Sequence, residues 1–142
     1  MSRFVNAKEL REFVAESLPR KYEPLSLTFY GRDVRENGDL IIFGDDYGTN
    51  LCLSLSQGFI YSVDPKNEVP TRFVNTNVEC LAKSLFVHQQ YANQVAITAS
   101  EVEQLTILRK LRDELIQIDA RVFNHTENWW AVVLEQSENG LL

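Results

Sequence analysis

Between Asp39 and Asp64 the chain reads DLIIFGDDYGTNLCLSLSQGFIYSVD, three β-like apolar runs joined by two glycine-bearing turns. Short apolar runs separated by turn residues fold as an antiparallel meander. The same stretch contains four acids and no base, in a chain whose formal charge is -6. A sheet edge and its loops face solvent. The concentration of charge therefore predicts an acidic surface, and an acidic surface favours a basic partner.

The flanking segments predict helices. Asn6 with Glu9 three residues later is a capping pattern; Leu10, Phe13 and Val14 then share one face until Pro19 stops the helix. Pro24 to Tyr30 alternates as a strand, and Asn37-Gly38 is a strong hairpin turn leading into Leu40. Strands are expected over Leu40–Phe43, Leu51–Leu55 and Phe59–Val63, with Gly44-Asp45-Asp46-Tyr47-Gly48 and Ser56-Gln57-Gly58 as links. Asp64-Pro65-Lys66-Asn67 is a closing turn, and Arg72-Phe73-Val74 a last short strand. Thr76 with Glu79 repeats the capping-box spacing before Val78, Leu81, Ala82 and Leu85. A third helix is expected over Ser100–Ile118, with Val102, Leu105, Leu108, Leu111, Leu115 and Ile118 as its apolar stripe. Val122 to His125 is read as irregular; Thr126-Glu127-Asn128 opens a short last helix, and Ser137 to Leu142 is expected to fray. The fold class that follows is α+β, a mostly antiparallel meander flanked by helices, in one domain spanning residues 1–142.

Composition narrows the function. With 44% apolar and 24% charged residues the chain is an ordinary globular one. Met1-Ser2-Arg3-Phe4 is followed by polar residues, not by the apolar core of a secretory signal, and no apolar run approaches 18 residues. A cytoplasmic location and no membrane contact are the expectation. A pI near 4.9 argues against nucleic acid as ligand. Cys52 in a strand and Cys80 on a helix read as buried, inert thiols.

No motif names a reaction. Asp45 and Asp46 are adjacent carboxylates, yet the spaced acids of a Ca²⁺ loop are missing, and neighbours on a strand end point apart. His88 and His125 lack the partners of a metal set, the Gly44–Gly48 loop lacks the Lys-Ser/Thr of a phosphate loop, and no serine sits in a nucleophile elbow. No catalytic residue, metal or cofactor is assigned. Trp129 and Trp130 lie about 100° apart on a helix, which assigns Trp130 to the core and leaves Trp129 as a partner anchor or a packed edge.

The phrases IIFGDDYGTNLCLSL, GFIYSVD, RFVNTNVECLAKSL and IDARVFNHTENWWAVVLEQ, in that order, resemble the SUKH superfamily, and within it the fourth SUKH family of bacterial immunity proteins. Gly44, Asp45 and Gly48 resemble the family's Gly-Asp-Gly turn, Tyr61 and Asp64 the next strand and its acidic end, and Phe73-Val74-Asn75 the lead into a helix. Asp119 and Trp130 resemble the Asp and Trp of its C-terminal segment, although a second Trp and an Asn-rich loop depart from the pattern there. The resemblance implies a non-enzymatic domain that neutralises a cognate toxin, commonly a nuclease or nucleic-acid deaminase, by stoichiometric binding. The acidic meander fits that role independently, since a nuclease must present a basic cleft. The expected contact residues are Asp39, Asp45, Asp46, Tyr47, Asp64 and Trp129. Two rival readings are an intracellular scaffold or adaptor of the same superfamily and a small hydrolase using Asp45 or Asp46.

Overall fold

The computed structural model describes residues 6–140. Met1–Phe4 and the expected fraying of Leu141 and Leu142 lie outside them. Helix α1 (Ala7–Ser17) begins where Asn6 accepts from the Glu9 backbone N–H at 2.9 Å and donates its amide to the Glu9 carboxylate at 2.8 Å. This reciprocal cap satisfies donors that a free helix end leaves open. Leu18 is extended, as a residue before proline must be, and so the helix ends ahead of Pro19.

The expected strand over Pro24–Tyr30 is shorter and is preceded by an unforeseen turn. Pro24, with its φ preset, sits in a one-turn 3-10 helix (Glu23–Leu25), and Ser26 turns left-handed at φ 55°. The chain doubles back there, so β1 (Lys21–Tyr22) pairs with β2 (Leu27–Phe29). The remaining strands are β3 (Arg35–Asn37), β4 (Leu40–Asp46), β5 (Thr49–Ser54), β6 (Ile60–Val63) and β7 (Arg72–Asn75). All pairings are antiparallel, in the order β1-β2-β4-β5-β6-β7, with β3 also on β4. β2 takes Gly44–Asp46 of β4 and β3 takes Leu40–Ile42, so one side of a long strand serves two short ones.

A bulge in β4 between Ile42 and Gly44 makes this possible. Gly44 is obligatory there: a Cβ would stand 2.8 Å from the Thr28 carbonyl and 2.9 Å from the Phe29 ring. Gly44, Asp45 and Asp46 thus belong to the strand. The link to β5 is only Tyr47-Gly48, both with positive φ, the two-residue hairpin geometry that matches strand twist.

Helix α2 (Val78–Ala96) is capped by Asn77, whose side chain accepts from Cys80 N–H, one residue later than the expected Thr76. The Thr76 hydroxyl is committed elsewhere, donating to Asp119 at 2.7 Å. Helix α3 (Glu101–Ile118) starts from Ser100. Its expected apolar stripe is buried only at Leu108, Leu111 and Leu115, while Val102 is 74% exposed. The segment expected to be irregular holds a single 3-10 turn (Ala120–Phe123), and α4 (Trp129–Glu138) follows. Leu10 and Val14 of α1, Leu81 and Leu85 of α2, the three α3 leucines, and Trp130 and Leu134 of α4 join Phe29, Ile41, Phe43, Leu51, Leu53, Ile60 and Val74 in one apolar cluster.

Within that cluster lies a buried polar hub. The Asp119 carboxylate accepts from Asn75 Nδ2 (3.0 Å), Thr76 N–H (2.7 Å) and the Thr76 hydroxyl (2.7 Å), and Asn75 Oδ1 accepts from the Trp130 indole at 3.0 Å. Every polar group there has a partner, as burial requires. The hub ties β7, the end of α3 and the start of α4 together.

Candidate partner-binding site

Three of the acids and both Trp129 and Tyr47 converge at one end of the sheet. β4 ends, β5 begins and β6 ends there, with Asp45 opposite Asn50 and Asn50 opposite Val63, next to Asp64. Asp39 does not join them. It precedes the first residue of β4, and seven residues of extended chain at about 3.3 Å each put it roughly 20 Å away. The single acidic edge expected from the sequence is two sites, because an extended strand carries its termini apart.

Each acid has a distinct environment. Asp39 accepts from the Ser54 hydroxyl (2.8 Å) and from both the backbone N–H and hydroxyl of Ser56 (2.9 and 3.0 Å). Those bonds, the Ser54 one foremost, hold its carboxyl below the usual range and make it a turn holder. Asp64 does the same for its loop, accepting the N–H groups of Lys66, Glu68 and Val69, which lower its pKa. Asp45 accepts the Gly48 N–H on both oxygens at 3.1 Å, closing the hairpin on itself. Tyr47, at the hairpin tip, is 90% exposed.

Asp45 and Asp46 point to opposite faces, so they form no carboxylate pair. Asp46 turns inward and accepts the Trp129 indole N–H at 2.7 Å. Burial pushes its pKa up, the indole bond opposes that shift, and the Asp45 charge adds to it. Trp129 itself is 5% exposed and meets Trp130 edge-on, with ring centroids 4.8 Å apart. The anchor role foreseen for Trp129 is corrected: neither indole presents its ring to solvent, because Trp130 packs into the core and Trp129 closes over the sheet end. No local signal in the sequence marks this, since the contact links positions 83 residues apart.

Around this end stand Asp45, Asp46, Asp64, Glu68 and Glu127 against Lys21, Lys66 and Arg72. Arg72 is neutralised in place, donating to the Glu127 carboxylate (2.9 Å) and carbonyl (2.8 Å). The face is therefore net acidic, with one projecting aromatic. Among the described residues no three His, Cys, Asp or Glu side chains gather as a metal set. His88 lies away from this site, buried between Tyr22 and Trp130. Among the described residues no helix is long and apolar enough to cross a membrane.

The chain is an α+β domain, an antiparallel sheet flanked by helices with a net acidic sheet end, and the comparison with known families gives that class its place. The family model for SUKH-4 immunity proteins matches residues 12–136, and the chain belongs to that family. Neither a curated protein nor a solved structure matches it.

Proposed function

We propose that this immunity protein binds one copy of a cognate toxin, a nuclease or nucleic-acid deaminase with a basic cleft, and blocks it at the acidic sheet end. The observation that carries this reading is the 90%-exposed Tyr47 at the tip of the β4–β5 hairpin, on the same sheet end as Asp45 and Asp64. Enzymes acting on nucleic acid line their clefts with Lys and Arg to hold phosphates, and complementary charge speeds encounter and rejects wrong partners. An aromatic on a two-residue hairpin has little freedom left to lose on binding, which suits an anchor. Asp45, Tyr47 and Asp64 are the contact residues, Asp46 and Trp129 support them, and Asp39 belongs to the other end. The inhibition is non-enzymatic and takes place in the cytoplasm of the producing cell.

The adaptor reading has one observation in its favour. A groove of about 620 Å³ runs between the end of α1 and α2, with Phe86 68% exposed at its rim. Mixing the protein with the product of a neighbouring toxin gene, and measuring complex mass by light scattering alongside toxin activity, separates the two. A one-to-one complex with lost activity is expected. Full toxin activity at saturating protein would leave the adaptor reading standing.

A further inference from the structure

We propose that the cavity between the β4–β5 hairpin, the loop after β6 and α4 receives one arginine side chain of the protein partner, with Asp46 as its counter-charge. This rests on the reading above that a basic protein docks at this end, and names the contact it makes.

The cavity has about 240 Å³ and is lined by Asp46, Thr49, Ser62, Arg72, Trp129 and Gln136, among others. That is below the roughly 300–1,000 Å³ of sites that enclose a whole small molecule, and it suits a single side chain. Among the described residues Asp46 has no cation within ion-pair distance; the only ion pairs are Arg32–Glu12 and Arg72–Glu127. Arg72 faces the same space but is already matched by Glu127, so the cavity keeps the one unbalanced negative charge of Asp46. A half-buried carboxylate without a cation is costly, and the same burial pushes its pKa up.

The polar lining points the same way. One indole bond engages Asp46 Oδ2, and a carboxylate has about four lone-pair sites, so room remains for a fork of donors. Thr49, Ser62 and Gln136 make no side-chain hydrogen bond to any described residue, which leaves three further acceptors on the cavity wall. Arginine matches this set better than lysine. Its planar guanidinium pairs with carboxylate through two parallel bonds, is weakly hydrated, and lies well against aromatic walls such as Trp129.

The test needs no toxin. N-acetyl-arginine amide is titrated into the ¹⁵N-labelled protein while the Trp129 indole N–H signal is followed, with N-acetyl-citrulline amide as the uncharged isostere. A saturable shift with the arginine probe, weakened at least about tenfold in Asp46→Asn and absent with citrulline, is expected. In the presence of the probe the Asp46 carboxyl, followed by ¹³C, should titrate at lower pH. Asp46→Asn keeps an acceptor for Trp129, and unchanged amide signals from core strand residues away from the cavity, such as Ile41 and Leu53, show that the fold is retained. No saturable shift up to about 100 mM probe, equal shifts with citrulline, or an unaltered Asp46→Asn response each overturns the proposal. A positive probe titration with no toxin complex would instead sink the immunity mechanism and leave the arginine pocket in place.

Discussion

Trp130 donates its indole N–H to Asn75 Oδ1 at 3.0 Å, joining α4 to the last strand 55 residues earlier. Asn75 passes the connection on to Asp119, which also holds both donors of Thr76. A core Trp satisfied through an Asn, and that Asn through an Asp, makes the helices' docking angle depend on a few polar atoms. Low dielectric strengthens each bond and penalises each loss.

Asp119→Ala is therefore expected to cost about 3–5 kcal/mol, since it strands three buried or half-buried donors at once. Asp119→Asn, which keeps an acceptor, should cost clearly less. Urea melts with a common slope check both; equal losses would show that charge, not donor satisfaction, holds the hub together.

His88 sets an acid limit on stability. Its Nδ1 lies 2.5 Å from the Tyr22 hydroxyl, and burial pulls its pKa from 6.5 down to about 4. The unfolded chain then binds a proton before the native one does. The stability that neutral His88 contributes is complete above pH 6.5 and is lost as pH falls toward 4, up to about 3 kcal/mol at 1.36 kcal/mol per pH unit. In His88→Gln the melting midpoint should fall less steeply across that window. An identical slope in the variant would place the acid limit in other groups.

Much of the fold is legible in local chemistry: the Asn6–Glu9 cap, the hairpin at Gly38 and the alternation of β4 to β6 all act over a few residues. What local pattern leaves out is settled at long range. Thr76 loses the α2 cap to Asn77 because Asp119, 43 positions on, takes its hydroxyl. Val102 is apolar at the correct spacing for the α3 stripe yet lies beyond the reach of the core. At the candidate site the turn residues Tyr47 and Gly48 are readable, whereas the inward turn of Asp46 depends on a bulge at Gly44 and on Trp129.

Asp46→Asn should raise the melting midpoint at pH 7. Burial lifts the native pKa of Asp46, so in the window above the ordinary carboxylate pKa the native state binds more proton than the unfolded chain, and stability falls as pH rises. The amide removes that dependence while still accepting from Trp129. The gain should vanish near about pH 3, where the carboxyl is neutral in both states. A lower midpoint at pH 7 would mean that the ionised form is favoured by the indole bond more than it is penalised by burial.

The toxin contact is expected to separate into a steering part and an anchoring part. Asp45→Asn removes a half-buried charge at the hairpin while keeping an acceptor for the Gly48 N–H, and should slow association several-fold at low salt, with the difference shrinking as salt screens it. Tyr47→Ala removes the projecting ring and should act on dissociation instead, at about 2 kcal/mol or more if the ring is an anchor. Glu36→Gln in β3 is the control, removal of one acidic charge at the far end of the sheet. Asp39 is unsuited to that purpose because its carboxylate holds the Ser54–Ser56 turn. Surface plasmon resonance at two salt concentrations, with co-expression protection as the biological readout, decides among these. If Glu36→Gln slows association as much as Asp45→Asn, the steering field belongs to the whole molecule and the contact is not confined to this sheet end; if Tyr47→Ala leaves dissociation and protection unchanged, the anchor lies elsewhere.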